Sequence, residues 1–191
     1  MLVMGHKEKK GFTLIELIMV ISIVAILSVS GAYLMIYLVQ NSVFIPNQLN
    51  MNMLASDALD IMVEGNSQAR GLRFSRIITA IDPYRVDFTD PAGQTISCRL
   101  DTVTNQLKRK IGANPETLIP YYQRSGISMT GKSGRVFTYY AGDESTITPP
   151  VGAANVRRIA ITLIARTGTG AYINWEGQSE QSSSIAVKKF Q

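Results

Sequence analysis

The chain has 191 residues, 46% of them hydrophobic and 17% charged, and a formal net charge of +5. Its one cysteine, Cys98, excludes an intrachain disulfide, and its one histidine, His6, lies so near the start that the body of the chain has none. His-based general bases, Cys–His nucleophile pairs and the usual His/Cys zinc sites are therefore absent, and the positive excess is too slight and scattered for a nucleic-acid domain.

Residues 1–11 form a short basic leader, with Lys7, Lys9 and Lys10 just ahead of Gly11. Gly11-Phe12-Thr13-Leu14-Ile15-Glu16 follows, and after Glu16 no charged residue stands before Asp57. From Leu17 to Val39 the chain is almost wholly apolar, long enough as a helix to span about 30 Å of hydrocarbon. An ordinary secretory signal places its cleavage site after the apolar part. Here the small residue, Gly11, precedes it, so a cut there leaves the hydrophobic helix on the mature chain. The lysines should keep the leader cytoplasmic. Removing residues 1–11 takes away three lysines and one glutamate, which lowers the formal charge to +3.

This stretch resembles the class III signal of the type IV pilins and type II secretion pseudopilins: a basic leader ending in Gly, then Phe, then Glu at the fifth mature position. Gly11, Phe12 and Glu16 match position for position. The resemblance implies cleavage between Gly11 and Phe12 by a prepilin peptidase, N-methylation of Phe12, an inner-membrane anchor and assembly with other pilin or pseudopilin subunits. It also implies that Glu16 meets the new α-amine of a neighbouring subunit. The plainer alternative is a carboxylate that snorkels to headgroups. Major pilins often carry a proline at the position of Tyr33; this chain does not.

The expected divisions are the leader at 1–11, a transmembrane or filament-core helix at 12–40, an amphipathic outer half at 41–70 and a β-rich head at 71–191. Pro46 is expected to kink the helix or end it briefly. Beyond it, Met51, Leu54, Ala55, Ala58, Leu59 and Met62 make one apolar stripe, suited to packing on a sheet of the same chain. Gly65-Asn66 is a stop signal, with Arg70 as the alternative end. Arg70, Arg73 and Arg76 share a face if helical; they would then touch phosphate or simply pair with Asp57, Asp60 or Glu64.

From Ile77 the pattern becomes short alternating runs. Tyr84–Phe88, Gln94–Leu100, Asn105–Ile111, Arg135–Tyr140, Val156–Arg166 and Ser184–Phe190 read as strands, with Asp90-Pro91-Ala92-Gly93 as a turn. In the long strand, Ile159, Ile161 and Leu163 form the better core face. The segments 141–155 and 167–183 read as polar loops. A long helix followed by antiparallel strands is α+β. The strand order, with Arg99-Leu100-Asp101, Asn105 and Val156-Arg157-Arg158-Ile159, is similar to that of minor pilins and pseudopilins of the J/W-like type.

The remaining candidates have bland readings. Cys98 reads as a small buried strand residue. Asp143-Glu144 supplies only two adjacent carboxylates where calcium takes six to eight oxygens. Tyr172 and Trp175 read as a small satellite core. No phosphate loop or nucleophile turn is present, and no cofactor is expected. The expected function is a structural minor subunit near a filament tip. The alternatives are a tip module binding DNA, a secreted protein or a surface ligand, and, third, an anchored enzyme.

Overall fold

The computed structural model describes residues 11–123, 126–150, 152–167 and 177–187. Residues 1–10 of the basic leader, the Tyr172–Trp175 pair and Lys188–Gln191 lie outside them. The chain divides into two units, Met1–Ser42 and Val43–Gln191.

A single helix, α1, runs from Leu14 to Val63 and contributes to both units. Its first part is apolar on every side, and its serines turn their hydroxyls back onto the backbone. Ser22 donates to Ile18 O at 2.8 Å, Ser28 to Val24 O at 2.7 Å and Ser30 to Ile26 O at 3.0 Å. Such back-bonding leaves the helix with few polar groups to satisfy in an apolar medium.

Pro46 lies inside the helix and does not end it, so of the two outcomes read from the sequence the break does not occur. A proline inside a helix costs about 3 kcal/mol or more. Downstream, Met51, Leu54, Ala55, Ala58, Leu59 and Met62 are all buried. Each large side chain among them contributes roughly 1.5–3 kcal/mol, so the buried stripe outweighs the proline. The apolar stripe read from the sequence is therefore the face that enters the head core. The helix stops at Val63, where Gly65 takes φ 94, and Gly71 N closes the following loop onto Glu64 O at 3.0 Å. It does not continue to Arg70.

The head contains two antiparallel sheets. The first is a meander of β1 (Ile77–Asp82), β2 (Arg85–Thr89), β3 (Thr95–Asp101), β4 (Gln106–Ile111) and the short β5 (Thr117–Leu118), each beside the next. Asn105, at φ 52, helps turn β3 into β4, and Asp101 caps that turn by accepting from Val103 N and Thr104 N. The second sheet is built around β9 (Arg158–Thr167). β10 (Gln178–Ala186) lines one edge of β9, while β6 (Ile127–Thr130) and β7 (Phe137–Tyr140) share the other, and β8 (Thr146–Ile147) flanks β7.

Ile159, Ile161 and Leu163 point into the core as their alternation predicts, beside Ile96, Cys98 and Leu107 of the first sheet and the α1 stripe. Tyr139 joins the sheets: its hydroxyl lies 3.0 Å from Asp82 O and 2.8 Å from Arg85 O. With one proton, it donates to one of them at a time.

Several boundaries differ from the sequence reading. β10 begins at Gln178, inside the stretch read as a polar loop, because its Ser and Gln side chains alternate against β9 without an apolar signature. β1 and β6 are strands the reading missed. β1 carries a bulge near Thr79, which breaks its alternation. The loop at 141–155 contains β8 and a short 3-10 turn at Ala153–Asn155.

Candidate functional site

The candidate site is the first turn of α1. Thr13 is the residue ahead of the helix, and Glu16 is its third residue. Thr13 N donates to Glu16 Oε2 at 2.8 Å, and Thr13 Oγ1 donates to the same oxygen at 3.0 Å. In return, Glu16 N lies 3.4 Å from Thr13 Oγ1. This is a capping box, which satisfies free N–H groups at a helix start through a Thr and a Glu three residues apart. The sequence reading took Glu16 as a carboxylate at the membrane edge and missed Thr13 as its partner. The Thr-x-x-Glu spacing was the available signal.

Gly11 and Phe12 lie just outside the helix, both exposed; Phe12 is 83% accessible. A Cβ added to Gly11 would meet nothing within 4 Å, so no packing among the described residues requires a glycine there. From Leu14 to Val39 every large apolar side chain is exposed. The helix is long and apolar enough to cross a membrane, and none of that apolar window is buried.

The other candidates resolve into ordinary contacts. Cys98 is fully buried on β3, and burial pushes its thiol up to about 12. Arg70, Arg73 and Arg76 do not share a helical face, because α1 has ended and only a 3-10 turn covers Leu72–Phe74. Arg73 pairs with Glu64, and Arg70 stacks 5.3 Å from the Phe74 ring. Asp143 accepts from Ser145 N and Oγ, which hold its carboxyl below the usual range. Glu144 pairs with Arg158, and no acidic or sulfur cluster able to hold a metal occurs among the described residues.

A hollow of about 380 Å³ lies in the head unit between α1 and β6, lined in part by Asn47, Met51, Met53, Tyr122 and Ile127. Tyr122 bonds to the Asp57 carboxylate; burial, then that hydrogen bond, push its phenol up to about 12. Tyr121 packs edge-on against it.

Residues 6–32 match the prokaryotic N-terminal methylation motif. This match supports a pilin-like precursor, a chain of the kind processed by a prepilin peptidase and assembled with other pilins. No curated protein and no solved structure matches the chain.

Proposed function

We propose that this chain is the precursor of a minor pilin or pseudopilin. A prepilin peptidase removes residues 1–11, and Phe12 becomes the methylated first residue. α1 anchors the protein once in the inner membrane, with the leader cytoplasmic and the head on the far side. The mature chain then joins a type IV pilus-like or type II secretion filament as one of few copies, near the tip. Its role is structural, not enzymatic.

The carrying observation is the methylation motif on a helix with more bare apolar surface than a bilayer covers. At about 1.5 Å per residue, the helix climbs about 39 Å from Leu14 to Val39, against roughly 30 Å of hydrocarbon core. Further along, Ile45, Leu49 and Met53 repeat at steps of four and are 54%, 57% and 60% exposed. Tilt absorbs some of the excess. Apolar helices of other subunits are the natural cover for the rest.

Mass spectrometry of protein from native cells tests the reading. The expected species begins at Phe12 and carries one added methyl group. A mature chain starting at Met1, or cut after residue 30, overturns it. A second reading, a tip module for DNA, a secreted protein or a surface ligand, draws support from the hollow beside Tyr122 and the exposed Tyr121. It gains ground if deletion leaves filaments intact but abolishes ligand uptake.

A further inference from the structure

β10 forms one edge of the second sheet, and its pairing with β9 fixes which of its backbone groups face away. Thr167 N donates to Gly177 O at 3.0 Å at one end, and Val187 N donates to Arg157 O at 2.7 Å at the other. Hydrogen-bonded residues alternate along an antiparallel pair, so the odd-numbered residues of β10 bond to β9. The N–H and C=O of Glu180, Ser182 and Ser184 therefore point to the free side, and all three residues are exposed. Among the described residues nothing bonds to those groups. The 3-10 turn at Leu72–Phe74 comes near β10 without a hydrogen bond to it.

Gln178 shows what such groups accept. Its N–H and C=O also face outward, and the Gln48 carboxamide meets both. Gln178 N donates to Gln48 Oε1 at 3.1 Å, and Gln48 Nε2 donates to Gln178 O at 2.5 Å. One side-chain amide thus stands in for one residue of a neighbouring strand. Short edges, bulges, prolines and charges are the usual guards against strand addition. β5 and β8 have two residues each, and β1 carries a bulge. β10 has nine residues in unbroken register and no proline. Its single charge, Glu180, is tied to Lys132 at 3.0 Å.

We propose that the free edge of β10, from Glu180 to Ser184, binds an extended segment of a neighbouring, different subunit of the filament, which joins the second sheet as a further strand. The outward groups recur about every 6.6 Å along a strand, a spacing that another extended main chain matches. The neighbour is the occupant because the edge begins at Gln48, within the head unit. On that same stretch of α1, the row Ile45, Leu49 and Met53 is exposed. A subunit that covers this row stands beside β10. The inference rests on the assembly reading above.

The test uses the full chain in its native host, with the peptidase and partner subunits present. Ser182→Pro removes one outward N–H and leaves every β9–β10 bond in place; Ser182→Ala leaves the backbone unchanged. Proline is tolerated on an edge strand where its missing N–H would face outward. Ser182→Pro is expected to be cleaved and to melt as the parent does. It should co-purify with partner subunits at least about fivefold less, the factor for one net hydrogen bond of about 1 kcal/mol. Ser182→Ala should match the parent. Hydrogen exchange of the parent adds a measurement that needs no variant. The outward amides within 178–186 should exchange quickly in the detergent-solubilised chain and slowly in the filament.

Equal co-purification of Ser182→Pro and the parent overturns the inference, as does rapid exchange of those amides in the filament. If Ser182→Pro melts below the parent, the exchange result alone decides. Protection that rises with concentration of the solubilised chain alone assigns the edge to a second copy of this chain, and so also overturns the proposal. A parent that co-purifies with no other subunit overturns the assembly reading itself, and the inference with it.

Discussion

The Arg109 guanidinium donates from Nη2 to the Ala69 carbonyl at 3.1 Å, tying β4 to the loop that ends α1. The same nitrogen reaches Arg70 O at 3.0 Å, and Nη1 reaches Asn66 Oδ1 at 3.1 Å. Arg109 points into the head opposite Cys98, is only 2% exposed, and is eased toward its neutral form by burial. Buried charges of this kind persist when their donors are met by fixed acceptors. Arg109→Ala orphans the two loop carbonyls, so the expected destabilisation is about 2–4 kcal/mol. Denaturant titration of the detergent-solubilised chain, followed by circular dichroism, measures it. A change below about 0.5 kcal/mol, the range of ordinary surface substitutions, would show that the tie is dispensable.

The loop held by Arg109 leaves no room for a side chain at Gly65. A Cβ there would sit 2.3 Å from Ala69 O, and the backbone has φ 94. Gly93 has a similar φ of 82 but open space around it. Both alanine variants incur the left-handed backbone penalty, about 1–2 kcal/mol; only Gly65→Ala adds a collision with backbone. The melting temperature should fall clearly further for Gly65→Ala than for Gly93→Ala. Equal shifts would mean that the loop relaxes freely.

Cys98 should be unreactive while the head is folded. Burial disfavours its thiolate, the species that attacks thiol reagents, and the pKa of about 12 leaves little of it near pH 8. Maleimide labelling at pH 8 is expected only after denaturant is added. Rapid labelling of the native chain would contradict the burial.

The Arg99–Glu116 pair, with contacts of 2.7 and 2.6 Å, predicts a pH signature. The Arg99 hydrogen bonds hold Glu116 below its ordinary 4.5. A depressed carboxylate stabilises the fold above its unfolded pKa, and that contribution is lost as pH falls through the lower, folded value. Glu116→Gln should therefore be less stable than the parent at pH 7, by at most about 1 kcal/mol for a pair this exposed. The two should converge as pH drops well below 4.5. A gap that widens in acid would show that the pair does not titrate this way.

The helix, its buried face and the core face of β9 were legible because they depend on period alone. Met51 through Met62 announce one stripe, and Ile159, Ile161 and Leu163 announce one strand face. The persistence of α1 through Pro46 was not legible, because the compensation comes from sheet residues distant in sequence. The first part of β10 was hidden by Gln181, Ser182 and Ser183, which carry no apolar alternation and pair because β9 offers them an edge. At the candidate site, Glu16 stood out through its apolar surroundings. Thr13 was overlooked because a hydroxyl beside a carboxylate is distinctive only by its three-residue interval.

The serines of α1 also bear on motion. Ser22, Ser28, Ser30 and Ser42 each give their proton to their own helix. Moving this segment from lipid to a bed of other apolar helices therefore breaks none of those bonds. Sliding or turning it against such neighbours trades one set of weak dispersion contacts for another, so many offsets are nearly equal in energy. Only a directional group meeting a mate could end that degeneracy, and Glu16 is the one charged side chain among residues 12–56. A bundle of such helices held by its apolar surfaces alone would creep with little friction, with no preferred offset.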